Sequence, residues 1–110
     1  MSISIRVVDC IYGLPAVGVP VEVTRELEGT VIQQWRNHTG DDGYVPVRSG
    51  AMQGRGSYTL EFDLEGYFRK LGYAPLNSAI SVRLRLASDS HHYGLSMLIT
   101  PSSCITFRQD

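Results

Sequence analysis

Much of the chain alternates apolar and polar residues with a period of two, which is the pattern of strands that bury one face. At the start of the chain, Ile3, Ile5 and Val7 alternate with Ser4 and Arg6. Comparable runs recur along the sequence and give eight predicted strands: residues 3–8, 19–24, 31–36, 44–48, 58–62 and 80–87, and the two arms of a hairpin that turns at Pro101–Ser103.

Glycine, aspartate and proline separate these strands at positions that favour turns. Glu28–Gly29 lies between two strands and predicts a hairpin turn. Thr39–Gly43, with the sequence TGDDG, is the strongest turn signal in the chain. Residues 11–20 carry two glycines and two prolines, so we expect an irregular, turn-rich connection there.

One segment departs from the alternation and favours a short helix. Asp63 is a suitable N-cap, the next residues can form about two helical turns, and Gly72 suits the position beyond the last turn. Leu64, Phe68 and Leu71 would then share one helical face. Eight short strands and one helix predict an all-β sandwich.

The C-terminal hairpin has the pattern that most suggests function. One face of its first arm is formed by alternate residues, namely His92, Gly94, Ser96 and Leu98, and Tyr93 begins the opposite, more apolar face. Histidine, glycine and serine in sequence are poorly suited to a dry core. We therefore expect this face to line a cavity or to meet another subunit.

Composition and charge narrow the class of protein. The length of 110 residues, with 43% hydrophobic and 19% charged residues, fits one globular domain that spans residues 1–110. A formal charge of −1 gives no electrostatic reason to expect nucleic acid or an anionic membrane as a partner. No apolar run approaches the ~20 residues needed to cross a bilayer.

The first residues enter a strand directly, without the pattern of a signal peptide, so a cytoplasmic protein is expected. In that compartment we favour reduced thiols at Cys10 and Cys104 over a disulfide. Cys104 is not expected to act as a catalytic nucleophile, because the sequence does not show the order of residues that a catalytic triad requires. The histidines lack the spacing of a zinc site, and Asp41–Asp42 fits a turn better than a metal site. No metal or cofactor is expected.

Several segments occur in an order that is characteristic of one family: VVD at 7–9, GLPAVGVPVEV at 13–23, Trp35, TGDDGY at 39–44, GYF at 66–68, HHYGLSMLITP at 91–101 and FRQD at 107–110. This order resembles the transthyretin and 5-hydroxyisourate hydrolase family. The resemblance implies a transthyretin-like (prealbumin-like) β-sandwich of seven or eight strands with one short helix. It also implies a homotetramer, assembled as a dimer of dimers, with a small-molecule site in the channel between the dimers.

Hydrolases of that family carry the motifs HVLD, DGR, HYHVPLLLSP and a terminal YRGS, and each motif is altered here. The resemblance places Arg6 and Gly94 where the hydrolases have histidines, and Tyr44 where they have an arginine. In the terminal motif only Arg108 is kept. Arginine stays protonated and cannot act as a base, and tyrosine, with a pKa of ~10, is a poor base. Ordinary hydrolysis of 5-hydroxyisourate is therefore not expected.

The residues at and near these positions remain polar, which favours a working site over a closed one. Arg6 is expected to stabilise developing negative charge, and Tyr44 to donate a hydrogen bond. His92 or Asp110 would move a proton. We expect these candidate catalytic residues to line one cavity, completed across a subunit interface, together with the expected ligand-binding residues Ser96, Gly94 and Arg108.

Two hypotheses follow. The favoured one is an enzyme that hydrolyses, cyclises or isomerises a small anionic molecule in an inter-subunit channel, for instance in the biosynthesis of a specialised metabolite. The alternative is a non-catalytic module that binds a ligand or supports assembly through the same channel. A structural interpretation of each side chain also stays open: Arg6 in an interface ion pair, Tyr44 in packing, and His92 in solvent.

Overall fold

A computed structural model of the chain describes residues 2–46, 55–76, 78–86 and 92–109. Its strands form two four-stranded sheets, and each sheet turns one face toward a shared core. In chain order the elements are β1 (Ser2–Asp9), β2 (Leu14–Pro15), β3 (Pro20–Leu27), β4 (Thr30–His38), β5 (Gly56–Asp63), α1 (Leu64–Lys70), β6 (Ala79–Leu86), β7 (His92–Thr100) and β8 (Ser103–Gln109). The all-β sandwich predicted from the alternation is confirmed.

The two sheets differ in the direction of their strands. The first sheet has the order β2-β1-β7-β8, in which β1 and β7 are parallel and the other described pairs are antiparallel. The second sheet has the order β4-β3-β5-β6, and its described pairs are antiparallel. The first strand of the chain therefore lies beside the C-terminal hairpin of β7 and β8, and these three strands form adjacent parts of the same sheet.

The core between the sheets is formed by the apolar residues that the alternation predicted. On β1, Ile3, Ile5 and Val7 are buried, whereas Ser4 and Arg6 are half-buried. Full burial of a valine or isoleucine side chain contributes about 1.5–3 kcal/mol, so the alternation fixes which face of the strand points inward. Buried apolar residues of other strands include Val21, Val23, Tyr58, Leu60, Phe62, Met97 and Ile99.

The turns predicted at Glu28–Gly29 and at Thr39–Gly43 are confirmed. Glu28 and Gly29 have positive φ angles of 52° and 79°, which is the geometry of a type I′ hairpin turn. Gly43, at the end of the TGDDG segment, has a φ of 80°, and a Cβ atom there would lie 2.6 Å from the carbonyl oxygen of Val7. Glycine therefore allows this turn to approach β1 closely.

Two predictions about strands need correction. The connection expected at residues 11–20 contains the short strand β2, which pairs with the end of β1. Two residues are too few to show an alternating pattern. The strand predicted at 44–48 is reduced, in the described part of that segment, to a single bridge between Tyr44 and Arg6. Pro46 has no amide N–H to extend this pairing, and the end of the segment lies outside the described residues.

The helix α1 begins where the sequence predicted. Asp63 is the N-cap, and its Oδ1 accepts a hydrogen bond from the amide of Gly66 at 2.9 Å. Leu64 and Phe68 are buried. Leu71, which was predicted to share their helical face, is 40% exposed. The physical reason is that Leu71 is the C-cap, where φ and ψ of −93° and 2° have left the helical range.

The two cysteines are free thiols, as expected. Cys10 follows β1 and Cys104 lies on β8, and β7 runs between these strands. Two strand spacings amount to ~10 Å, which exceeds the Cα separation that a disulfide allows. Within the described ranges, no helix combines the length and apolarity that crossing a bilayer requires.

Candidate functional site

Four residues form a row across the first sheet on the side that faces away from the core. Arg6 of β1 pairs with Tyr44 on one side and with Ser96 of β7 on the other. Ser96 in turn pairs with Phe107 of β8. Residues in register on neighbouring strands point to the same side of a sheet. We call this set, in the order Tyr44, Arg6, Ser96 and Phe107, the Arg6 row.

The turn before Tyr44 holds that residue against β1. Two backbone hydrogen bonds of 2.9 Å, one on each side of the Arg6–Tyr44 pair, join the two segments. The pair itself is therefore of the non-hydrogen-bonded kind, in which opposing side chains lie closest. Asp42 Oδ1 accepts a hydrogen bond from the Tyr44 amide at 2.9 Å, so the aspartate that predicted a turn also fixes Tyr44.

Apolar side chains flank the row on the same face. Val8, Leu98 and Ile105 lie in register as the next row on β1, β7 and β8. Ile105 is 61% exposed and Phe107 is 40% exposed. Adjacent exposed apolar residues on one face often mark a surface that is covered by a partner or a ligand. We define the outer face of the first sheet as Ser4, Arg6, Val8, Tyr44, Gly94, Ser96, Leu98, Ile105 and Phe107.

Arg6 brings a positive charge to this face. The residue is half-buried, and no carboxylate of the described residues lies within 4.0 Å of its guanidinium group. The described positions of the outer face carry no acidic side chain. A charge that is partly removed from water is unfavourable until it finds a partner. An anion from a ligand or from a second subunit would supply that partner.

Ser96 lies at the base of the row. It is only 3% exposed although it is on the outer face, because the longer side chains of Arg6 and Phe107 stand on either side of it in register. Its hydroxyl can donate one hydrogen bond and accept two. A ligand would reach this hydroxyl by displacing one of the two neighbours, so contact between Ser96 and a ligand stays a prediction.

Three other sequence candidates belong to the C-terminal hairpin. Gly94 pairs with Ser4 and with Gln109, on the outer face and two residues before Ser96 along β7. His92 is the first residue of β7, and its backbone is in register with Ser2. Asp110 lies outside the described residues. The proposed proton-transfer roles of His92 and Asp110 therefore stay predictions.

Arg108 lies on the other side of the sheet, contrary to the cavity expected from the sequence. It pairs with Leu95, which packs against the core, and its guanidinium carbon is 4.8 Å from the centre of the Tyr93 ring. Successive residues of a strand point to opposite faces, so Phe107 takes the place on the outer face that the motif comparison suggested for its neighbour. The structure brings Arg6 and Tyr44 together and separates Arg108 from them.

Phe107 and Ile105 were missed as site residues. The alternation of the predicted last strand could have identified them, because both are apolar residues that alternate with more polar or core-facing ones.

Cys104 pairs with Ile99 and is partly buried, and burial raises the pKa of its thiol, which disfavours a nucleophilic role. Among the described residues, no group of three or more histidine, cysteine or acidic side chains could hold a metal ion.

Comparison with known proteins agrees with this architecture. The 5-hydroxyisourate hydrolase of Halalkalibacterium halodurans is 31% identical over 114 residues, covering 97% of this chain and 96% of that protein. The 5-hydroxyisourate hydrolase 2 of Rhizobium meliloti is 33% identical over 110 residues, covering 94% and 91%. Sea bream transthyretin, solved in complex with thyroxine, has a TM-score of 0.84 at 24% identity, covering 99% of this chain and 95% of that chain; this similarity concerns the fold.

The match to a family covers nearly the whole chain. Residues 3–109 fit the family described as the HIUase/Transthyretin family. This range includes both sheets, the helix and every residue of the Arg6 row. The order of sequence motifs, the fold and the relatives agree, and the chain belongs to the HIUase/Transthyretin family.

Proposed function

We propose that the outer face of the first sheet, completed by a second copy of the chain, binds a small anionic organic molecule and transforms it. The observation that carries this proposal is the half-buried Arg6, which has no carboxylate partner among the described residues. Tyr44 and Ser96 place two hydroxyl groups in register on either side of it. The Tyr44 hydroxyl can donate a hydrogen bond to the anion, and the Ser96 hydroxyl can do so once Phe107 has moved aside.

Recognition of the anion rests on Arg6. A guanidinium group offers planar donors that match a carboxylate or a delocalised enolate, and such charge-assisted bonds are about twice as strong as neutral ones. Phe107 and Ile105 provide an apolar boundary beside these donors. Exclusion of water by that boundary strengthens the electrostatic interaction further.

The same residues suit a step in which negative charge develops on oxygen. Such charge appears when water adds to a carbonyl group, and also when a proton leaves the carbon next to one. Arg6 and Tyr44 would stabilise this oxygen. The proton needs an acceptor with a pKa near the working pH, for which His92 and Asp110 are the candidates. Hydrolysis, cyclisation and isomerisation share this requirement, so the proposal concerns a reaction class.

The reaction proposed here differs from that of the hydrolases named above. The resemblance assigns Arg6, Tyr44 and Gly94 to positions of the hydrolase machinery, and these positions share the outer face of this chain. That shared location supports the motif comparison. None of the three residues can serve as a base at neutral pH. We therefore propose a divergent member of the family that does not use 5-hydroxyisourate as its substrate.

The decay of 5-hydroxyisourate, followed by ultraviolet absorbance, tests this proposal. We expect the unmodified chain to leave the decay at its background rate. The triple variant Arg6→His, Tyr44→Arg and Gly94→His is expected to accelerate it, because it supplies two imidazoles and an arginine. A matched control with Arg36→His, on the second sheet, should stay at background. Robust turnover by the unmodified chain would show that the divergent assignment is wrong.

A second candidate function is ligand binding without chemistry, which the solved complex of sea bream transthyretin with thyroxine favours. Calorimetric titration with thyroxine, together with an activity screen, distinguishes the enzyme from the non-catalytic module. Binding that depends on Arg6, in a chain that transforms no member of a panel of small anionic esters, lactams and enolisable acids, would favour the non-catalytic module. Turnover of any panel member that is lost in Arg6→Gln would favour the enzyme.

A further inference from the structure

Ser96 is a polar residue on the outer face of the first sheet that the fold covers almost completely. It is 3% exposed, and no hydrogen bond joins its hydroxyl to another of the described residues. Removing a hydroxyl from water without a partner costs free energy, and buried polar groups are nearly always hydrogen-bonded. The partner of this hydroxyl therefore has to come from outside the described residues.

The position of Ser96 makes a ligand bound at Arg6 a suitable source of that partner. The two residues are in register, and neighbouring strands lie about 4.8 Å apart. A small molecule whose ionised oxygens pair with Arg6 therefore brings its adjoining atoms over Ser96. The hydrolase motif HYHVPLLLSP has a proline at the position that the resemblance gives to Ser96, so this hydroxyl is not part of the hydrolase pattern.

Phe107 is the neighbour that can uncover Ser96. It pairs in register with Ser96 on the side away from Arg6, and it is 40% exposed. Its strand, β8, is the last in the order of the first sheet, so a described strand supports its ring on one side only. Arg6, in contrast, lies between Tyr44 and Ser96. A change of the Phe107 rotamer therefore opens Ser96 and leaves the anion-binding side chains in place.

We propose that Ser96 determines which anions this site accepts, by donating a hydrogen bond to a carbonyl oxygen next to the ionised group. The substrate class is that of 2-oxo acids, whose carboxylate pairs with Arg6 and whose oxo group reaches Ser96 after Phe107 has turned aside. This inference rests on the anion site proposed above. A site built around a buried donor rejects analogues that leave the donor unpaired, so acids without the oxo group bind less well.

Phenylglyoxylate and phenylacetate are the probes, because both carry a phenyl ring and a carboxylate and only the first has the oxo group between them. Amide chemical shifts of the full-length chain, followed during titration, measure both affinities. Phenylglyoxylate should bind about fivefold more tightly, which is the factor that one net hydrogen bond gives. Ser96→Ala should make the two affinities equal. Ser57→Ala, on β5 of the second sheet, is the matched control and should leave the preference unchanged.

Phe107→Ala tests the covering residue separately. It removes the same apolar contact from both acids, so the ratio of their affinities is the informative quantity. The ratio should increase about twofold or more, because a conformation open in at most half of the molecules lowers the apparent affinity by that factor. An unchanged ratio would contradict the role of Phe107.

The stability of Ser96→Ala tests the missing partner without any ligand. A hydroxyl with no partner in the chain loses no hydrogen bond when it is removed, so the melting temperature should stay the same or rise. A fall of about 4 °C or more is the shift expected from losing one hydrogen bond in a domain of this size, and it would overturn the inference.

Arg6→Gln should weaken the binding of both acids, and it separates this inference from the proposed function. Equal affinities of the two acids in the unmodified chain, or a preference that survives Ser96→Ala, would overturn the role of Ser96 alone if binding still depends on Arg6. A preference that needs Ser96 but is indifferent to Arg6→Gln would contradict the anion site instead. No binding of either acid would contradict both.

Discussion

The outer faces of the two sheets use charge in opposite ways. On the second sheet, Glu22 pairs with Arg36 at 2.9 Å, and Glu26 lies 3.7 Å from Arg83. On the first sheet, Arg6 has no carboxylate partner in the described part of the chain, and its neighbours in register carry hydroxyls. Two cations of the second sheet therefore have carboxylate partners at the surface, whereas Arg6 of the first sheet has none among the described residues.

The comparison shows that the surroundings of a charged side chain, more than the charge itself, indicate whether a partner or a ligand covers it. Exposed ion pairs contribute about 0–1 kcal/mol, because water already solvates each partner. They identify a face that is stable in solvent. A half-buried cation beside exposed isoleucine and phenylalanine side chains is different, since both the charge and the apolar area gain from being covered.

Asp9 gives the same contrast within a single strand. It lies three residues after Arg6 on β1 but is only 1% exposed. Its Oδ1 accepts the amide of Ile11 at 2.8 Å, and its Oδ2 accepts the hydroxyl of Tyr67 at 2.7 Å. Asp9 is thus a buried charge with partners in its own chain, and its role is structural. Arg6 depends on a partner from elsewhere.

The largest effect is expected when a charge is placed in the apolar part of the outer face. Ile105→Lys should weaken self-association at least 100-fold, because covering an unpaired ammonium group costs roughly 3 kcal/mol or more. Light scattering across a concentration series measures this, with the unmodified chain expected to form a dimer or a tetramer.

Ile32→Lys is the matched control, since Ile32 is 44% exposed on β4 of the second sheet. It should leave the association constant unchanged. A monomeric unmodified chain at high micromolar concentration, or equal effects of the two lysines, would remove the distinction between the two faces.

A second effect concerns the buried charge that has its own partners. Tyr67→Phe removes the hydrogen bond to Asp9 Oδ2 and should lower the free energy of unfolding by about 1–3 kcal/mol. Tyr12→Phe is the control, because Tyr12 is 54% exposed and its hydrogen bond with Tyr73 competes with water, so its loss should cost less than that of the buried bond to Asp9. Urea unfolding measures both. Similar values for the two variants would argue against a structural role for the Asp9–Tyr67 pair.

The same pair predicts a dependence of stability on pH in the alkaline range. Burial, followed by the hydrogen bond to Asp9, raises the pKa of Tyr67 above its ordinary value near 10. As the pH rises, Tyr67 loses its proton in the unfolded chain before it does so in the folded chain. Its contribution to the free energy of unfolding is therefore fully present below about pH 10 and decreases as the pH rises further. The slope is at most about 1.4 kcal/mol per pH unit. The difference between the unmodified chain and Tyr67→Phe should shrink accordingly above pH 10.

Local features of the sequence predicted most of the fold. Alternation gave the buried faces of the strands, and Asp63 gave the start of the helix, because both depend on neighbours along the chain. The short strand β2 was missed, since two residues carry no period. Phe107 and Arg108 show the limit for the site: a motif comparison aligns positions, but the register of β8 decides which of two neighbours faces outward.

The pairing of Arg6 with Tyr44 could not be derived from spacing, because the two residues are far apart in sequence. They meet because the turn before Tyr44 lies close to β1, which the glycine at position 43 allows. Only the resemblance to a family suggested that they share a site. Which charges remain without a partner is also a property of the folded chain. The contrast between Arg6 and Arg36 therefore appeared only when the partners on each sheet were known.

That contrast leads to the most direct test of the anion site. Isothermal titration calorimetry with urate, a stable organic anion, should detect binding to the unmodified chain. Arg6→Gln should weaken it at least tenfold, which corresponds to about 1.4 kcal/mol, while Arg36→Gln should leave the affinity unchanged, because Arg36 already pairs with Glu22 in solvent. Unchanged affinity in Arg6→Gln, or equal loss in both variants, would contradict the account.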